Sequence, residues 1–326
     1  MKKYTRLIAL MLLCMSMMTV PTWAAEYLIP VGQVIGLELT DDTVTVAALE
    51  TDTDSAARLA GLQVGDRIVD IDGKTIRCAE DVRQALHCSK GCIFMKIRRQ
   101  GKEQVLRILP AITKDGPKLG IFLKQGVTGI GTVTWYDPES GKFGTLGHGV
   151  NDPQGNLVNM VSGKVYGASV VGVIRGQSGK PGQLQGAVTA TAVLGQLEKN
   201  TAQGVFGTVQ TFWNGSALKV AEAKEICTGP AVIRSTVEGD MPRDYSVEIL
   251  KIYPNSGSSG RNLMLKVTDP ALLEATGGIV QGMSGSPILQ NGRIVGAVTH
   301  VLVNDPTRGY GIFIENMLEA AGNSIN

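Results

Sequence analysis

One stretch constrains this chain more than any other: Gly282-Met283-Ser284-Gly285-Ser286-Pro287, then Ile288-Leu289-Gln290-Asn291-Gly292-Arg293 and the apolar residues 294–303. Two apolar runs flank Asn291-Gly292, and both turn residues tolerate positive φ. That pattern predicts a two-residue hairpin. Ahead of the hairpin, glycines on both sides of Ser284 let the backbone bend sharply and turn its N–H groups toward the space above the hydroxyl. A serine needs that geometry to attack a carbonyl while amides hold the developing oxyanion.

Gly and Ser are also ordinary turn residues. The fuller pattern is more specific. Gly-x-Ser-Gly-x-Pro running into a strand, an Asn-Gly turn and a Gly-Ala-Val strand resembles the nucleophile loop of chymotrypsin-type serine peptidases.

At 326 residues the chain can hold about two domains. Its 41 glycines, few aromatics and many Val and Thr point to strands and tight turns rather than a helical bundle. A formal charge of +2, with basic residues scattered, gives no electrostatic case for nucleic acid.

Residues 1–24 read as a targeting segment. Lys2, Lys3 and Arg6 precede the apolar residues 7–20, a run too short to cross a bilayer comfortably. Thr22-Trp23-Ala24 offers small residues for cleavage after Ala24. A retained anchor, with membrane association through residues 1–24, is the rival reading; both export the rest. Cys14 lies in this segment. Export permits a disulfide among Cys78, Cys88 and Cys92, and small buried thiols, Cys227 included, fit equally. His87-Cys88 with Cys92 lacks the second pair a zinc site needs.

Residues 27–113 read as one small α+β domain. Ser55-Ala56-Ala57 opens a short helix stopped by Gly61, Gly65-Asp66 is a turn, and residues 67–71 alternate as a strand. Asp72-Gly73 turns, residues 80–87 are helical, and residues 93–98 pair with 103–109 across Gln100-Gly101. The string from Ser55 through Ala60-Gly61-Leu62 and Gly65-Asp66 to Asp72-Gly73 resembles a PDZ domain of the bacterial peptidase type. Such a domain takes an extended peptide as an added strand. The resemblance puts the peptide-binding loop at residues 31–37, with Gly32, Ile35, Gly36 and Leu37 as its contacts.

Asp115-Gly116-Pro117-Lys118 breaks the pattern as a linker. Residues 119–326 then read as closely spaced strands, an all-β barrel or sandwich. Strands are expected at residues 126–135, 155–160, 165–174, 184–191, 204–211, 222–227, 245–253 and 263–267. Only residues 314–321 look helical.

Ser284 needs a base, because a neutral hydroxyl is a weak nucleophile. Of three histidines, His87 lies beside cysteines in the small domain. His148, in Gly147-His148-Gly149, follows a strand in the β domain, and its glycine neighbours give the ring room. His300, in Thr299-His300-Val301, follows the hairpin where a cleft wall is expected, and it is the alternative base. Asp269, before Pro270 and shortly ahead of the serine loop, leads narrowly over Asp137, Asp152, Asp240 and Asp244 as the acid that would orient the imidazole. Ser286 is the rival serine, but the first serine of the motif takes the nucleophile's place.

Taken together, the chain resembles the stage IV sporulation protein B peptidase family. The likeness rests on Leu119-Gly120-Ile121, Tyr136-Asp137-Pro138, Leu146-Gly147-His148-Gly149, Val267-Thr268-Asp269-Pro270 and residues 277–311. It implies a mainly β fold, with a PDZ domain followed by a chymotrypsin-like double β-barrel. It implies a catalytic triad of His148, Asp269 and Ser284, with the N–H groups of Gly282 and Ser284 as the oxyanion hole. No metal or organic cofactor is called for. It further implies self-cleavage, then cutting of a membrane-bound regulator of an intramembrane metalloprotease, in the space between forespore and mother-cell membranes. A late sigma factor is activated as a result. The alternative from another class is a non-catalytic PDZ scaffold with a degenerate peptidase fold.

Overall fold

The computed structural model describes residues 27–51, 55–153, 155–210, 213–256 and 260–322, with backbone alone at 190 and 191. The expected targeting segment, residues 1–24, lies outside them.

The chain opens with β1 (Tyr27–Pro30) and β2 (Val34–Leu49). The small domain follows with α1 (Ala56–Leu59), β3 (Arg67–Ile71), β4 (Lys74–Thr75), α2 (Ala79–Cys88), β5 (Ile93–Arg99) and β6 (Lys102–Ile108). A short hairpin, β7 (Ala111–Thr113) and β8 (Gly116–Lys118), leads to β9 (Ile121–Tyr136), β10 (Lys142–Thr145), β11 (Met160–Ile174), β12 (Gln183–Thr201) and β13 (Gly204–Val209). The remainder holds β14 (Leu218–Val220), β15 (Gly229–Ser235), β16 (Arg243–Ile252), β17 (Leu263–Val267), α3 (Pro270–Thr276), β18 (Pro287–Gln290), β19 (Arg293–Leu302), β20 (Asp305–Phe313) and α4 (Ile314–Ala321).

Two rings of antiparallel strands close on themselves. The first runs β9–β2–β11–β12–β13–β10 and back to β9. Its alternate residues turn Ile35, Leu37, Leu39, Val133, Tyr136, Phe143, Val165 and Val205 into one core. The second runs β15–β16–β17–β20–β19–β18 and back to β15. It buries Ile233, Val247, Ile249, Leu265, Ile288 and Val298. Each such side chain contributes roughly 1.5–3 kcal/mol when fully buried. Helix α4 seals the junction: Ile314, Met317 and Leu318 pack with Trp135 of the first ring and Ile294 of the second. The hairpin read from Asn291-Gly292 is β18–β19, with both turn residues at positive φ (51° and 72°).

The small domain has its own core, with Val44, Ile68, Val82, Leu86, Met95 and Ile97 among its members. Its relation to the first barrel differs from the expected boundary. Residues 27–113 do not form a unit that precedes the barrel. Strand β2 pairs through Ile35–Leu39 with both β9 and β11 inside the barrel, then through residues 44–49 with β9 and β3 inside the small domain. The small domain is therefore inserted into a ribbon of two long strands that the barrel shares.

Where the ribbon passes from one body to the other, the register skips from Leu39↔Val127 to Val44↔Gln125. Gly126 sits in this bulge with φ of 77°, and a Cβ there would lie 1.8 Å from the carbonyl oxygen of Leu39. Asp41 Oδ1 accepts from the N–H groups of Gly126 and Thr43, each at 3.1 Å.

This topology overturns the peptide loop expected at residues 31–37. Ile35 and Leu37 are core residues of the first barrel, and Gly36 lies in a strand paired on both sides. A Cβ on Gly32 would lie 2.6 Å from Cγ of Arg234, so Gly32 faces the second barrel. Among the described residues, β2 is paired on both sides at residues 35–39, so no strand edge is left there for an added peptide strand.

Two expected strands are also absent. Residues 155–159 are irregular, and residues 223–225 form a 3-10 turn. Helix α3 was not expected, although Asp269-Pro270 is a common helix start: Asp269 caps it and Pro270 takes its first turn. The four described cysteines are free thiols.

Candidate active site

The nucleophile loop is held by the first barrel, although its own chain belongs to the second. Thr132 Oγ1 donates to the carbonyl of Gly282 at 2.8 Å, and Thr134 Oγ1 donates to that of Gly285 at 2.7 Å. Thr132 N donates to Ser284 O at 3.2 Å. Gly285 has φ of 95°, and a Cβ on it would lie 2.1 Å from the carbonyl oxygen of Thr132. Only glycine allows this approach. Ser286 Oγ donates to Ser235 Oγ at 2.9 Å in a buried pair, so this serine ties the loop to β15.

Around Ser284 the amides divide sharply. Met283 N donates to Val280 O at 3.1 Å, Gly285 N to Val298 O at 2.7 Å and Ser286 N to Met283 O at 3.0 Å. Among the described residues, the N–H groups of Gly282 and Ser284 have no such partner. These are the two amides expected to form the oxyanion hole.

Leu146 and Gly147 both adopt left-handed φ, 69° and 67°, and so swing the chain off β10. His148 follows and lines a cleft of about 560 Å³ between the barrels, with Ser284, Thr299 and His300 on the facing wall. Its ring centroid is 5.6 Å from that of His300. His148 Nδ1 lies 2.9 Å from Gly149 O. A carbonyl only accepts, so Nδ1 carries the proton and Nε2 keeps the lone pair that a general base uses.

Burial lowers the His148 pKa below 6.5, against a smaller opposing effect of its bond to Gly149. Burial, then the nearby His148 and Arg261, lower that of His300 to about 4. Both rings are therefore neutral at pH 7. His300 Nδ1 is buried without a hydrogen-bond partner.

The hydroxyl of Ser284 donates to Thr299 O at 2.8 Å. The expected acid is elsewhere. Asp269 Oδ1 accepts from Leu272 N at 3.0 Å, and Oδ2 accepts from Ser246 N at 3.2 Å. Each carboxylate oxygen thus accepts one bond at the start of α3, and Asp269 is not among the residues lining the cleft. No charged acid contributes to the His148 shift. The expectation that Asp269 orients His148 is corrected on this geometry: its carboxylate caps a helix.

Residues 115–318 match the model of the SpoIVB peptidase S55 family, and residues 50–99 match a PDZ domain. The chain belongs to the SpoIVB peptidase S55 family. This S55 serine peptidase is 30% identical over 142 residues to the putative zinc metalloprotease Atu1380 of Agrobacterium fabrum, covering 39% of this chain and 37% of that one. It is 37% identical over 91 residues to the putative zinc metalloprotease R01501 of Rhizobium meliloti, covering 28% of this chain and 23% of that one. The chain thus spans well under half the length of either relative. Among solved structures, the PDZ domain of the SdrC-like protein Lin2157 from Listeria innocua matches with 27% identity and a TM-score of 0.23, covering 26% of this chain and 96% of that one. The Rv3671c protease in its inactive form matches with 14% identity and a TM-score of 0.34, covering 60% of this chain and 85% of that one.

Sequence reasoning brought His148, Ser284, Thr299 and His300 of the S55 peptidase into one region, and the fold places all four around the cleft. It missed Thr132 and Thr134. Both are fully buried hydroxyls in an apolar strand. A buried threonine needs a hydrogen-bond partner, and that requirement was the available signal.

Proposed function

We propose that this protein is an exported serine endopeptidase in which Ser284 is the nucleophile and His148 the general base. What supports the reading is the convergence, in one cleft, of a serine on a glycine-bent loop, a neutral imidazole whose proton sits on Nδ1, and two amides without a backbone partner among the described residues. Ser284 turns about its Cα–Cβ bond from Thr299 O toward His148. His148 takes the proton as the oxygen attacks a peptide carbonyl. The N–H groups of Gly282 and Ser284 receive the oxyanion, and one such donor is worth about 10²–10³ in kcat. His148 passes the proton to the leaving amine, and water then releases the acyl group. Thr299 O, freed by the turn of Ser284, accepts from the substrate backbone.

The substrates carried by the family resemblance are the chain itself and a membrane-bound regulator whose cutting releases late sigma-factor activation. The place is the space between forespore and mother-cell membranes, reached through residues 1–24. The PDZ domain takes a peptide. Mass spectrometry of the secreted wild type against Ser284→Ala tests this reading. A new terminus inside the chain, present in wild type and absent in Ser284→Ala, is expected; identical termini in both contradict self-cleavage.

A further inference from the structure

Two histidines, His148 and His300, line the cleft, and the mechanism above uses only the first. The second is partly buried, and its Nδ1 is enclosed with no hydrogen-bond partner among the described residues. A polar nitrogen left so is rare in a folded protein and calls for an explanation. Strand β19 fixes its backbone, because His300 is paired there with Tyr310 of β20.

The ring lies beside the base. The two ring centres are 5.6 Å apart, with their planes inclined by 42°. Since His148 Nδ1 gives its proton to Gly149 O, the nitrogen left for a ligand is Nε2, the atom that acts as base. Two imidazoles on one tetrahedral zinc hold their ring centres about 5 Å apart, given Zn–N of about 2.0–2.1 Å and roughly 1 Å more to each ring centre. The observed separation is close to that. Imidazole nitrogens suit zinc, whereas calcium and magnesium take oxygen ligands.

We propose that His148 and His300 together form a reversible, inhibitory zinc site. The metal takes the lone pair of His148 Nε2, and Ser284 is left without a base for its proton. Water fills the remaining positions on the ion. Two protein ligands are fewer than the three that hold a catalytic zinc or the four of a structural one. Arg261, stacked on the Tyr310 ring at 5.3 Å, also sets a positive charge near His300. The site therefore fills and empties with the zinc concentration and is no permanent centre. The inhibition rests on the assignment of Ser284 and His148 above; the metal binding rests on the two rings alone.

The test titrates zinc chloride into fluorophosphonate labelling of the full chain, with magnesium chloride as the comparison. Each protein is read against its own metal-free rate constant. In wild type, zinc at about ten times its inhibition constant lowers the labelling rate about 10-fold by mass action, and EDTA restores it. In His300→Gln the inhibition constant rises by at least about 10-fold, the lower end of what a metal site loses even with an outer partner. Magnesium leaves both rates unchanged. The free thiols of Cys78, Cys88, Cys92 and Cys227 also take zinc, but they lie outside the cleft and are common to both proteins. Labelling unchanged by millimolar zinc overturns the proposal, as does equal inhibition in His300→Gln or equal inhibition by magnesium. Calorimetry reads the site without labelling: Ser284→Ala binds one zinc more than the same protein carrying His300→Gln, and equal stoichiometry overturns the proposal. If His300→Gln does not fold, His300→Asn carries the same comparisons. Wild type that never labels is a different failure: it refutes the assignment of Ser284, and the calorimetry still decides the metal site.

Discussion

Ser284 and Thr299 sit side by side on one wall of the cleft, with the serine hydroxyl donating to the threonine carbonyl at 2.8 Å. The nucleophile thus rests on the cleft wall and not on an imidazole. A hydrogen bond of this kind contributes about 0.5–1.5 kcal/mol net, small beside a catalytic barrier. The hydroxyl can leave it as substrate enters, and the same carbonyl is then free for the substrate strand.

Asp269 separates two accounts of its own importance. As a helix cap its oxygens hold Leu272 N and Ser246 N, and α3 leads directly into the nucleophile loop. Asn also caps helices well, whereas Ala does not. Asp269→Ala is expected to lose about 1 kcal/mol of stability in urea unfolding and to lower activity through the loop. Asp269→Asn keeps the cap on Leu272 N but loses the acceptor for Ser246 N, and is expected to fall between wild type and Asp269→Ala in both. An Asp269→Asn protein that is fully stable yet loses about 10⁴ in kcat would restore the acid to the triad.

Gly285 tests the clamp on the loop. Alanine there must adopt a left-handed backbone, at a cost of about 1–2 kcal/mol, and would collide with Thr132 O. Gly285→Ala is expected to lose Ser284 labelling by at least about 10²-fold, because the loop must withdraw from β9. Labelling at the wild-type rate would show that the clamp does not position the serine.

His300 predicts a pH dependence of stability. Its folded pKa is about 4, below the 6.5 of an unfolded histidine. Between these values the unfolded chain binds more protons, so stability is whole above about pH 6.5 and falls as the pH drops toward about 4. His148 is shifted the same way and adds to the slope. Chemical denaturation at pH 7 and pH 5 should show the fall, and His300→Gln should flatten it. An unchanged slope in His300→Gln would remove this residue from the account.

The shared ribbon makes a prediction about fragments. Residues 119–326 alone lack β2, whose residues 35–39 pair with both β9 and β11, so the first barrel cannot close. That fragment should be insoluble or unfolded by circular dichroism. A chain that keeps residues 27–40 and joins them to residue 127 by a short turn should fold and label at Ser284. The opposite pattern would contradict the inserted topology.

Much of this was legible in the sequence. The Asn291-Gly292 hairpin, the strand at Leu263–Val267 and the helix at Ile314–Ala321 follow from local turn chemistry and periodicity, and each forms as read. The roles of residues 31–37 were not legible. Ile35-Gly36-Leu37 alternates as a strand in either body, and only long-range pairing decides which sheet takes it. Asp269 failed for a related reason: Asp-Pro reads equally as a turn or a helix cap, and spacing cannot show which way a carboxylate points.

The central claim is that Ser284 is activated by His148 inside the cleft between the barrels. Fluorophosphonate labelling of the purified full chain, followed by peptide mapping, addresses it directly. The account predicts a single adduct on Ser284, absent in Ser284→Ala and slowed by at least about 10³-fold in His148→Ala, with His300→Gln still labelling. An adduct on another serine, or labelling of His148→Ala at the wild-type rate, would contradict it.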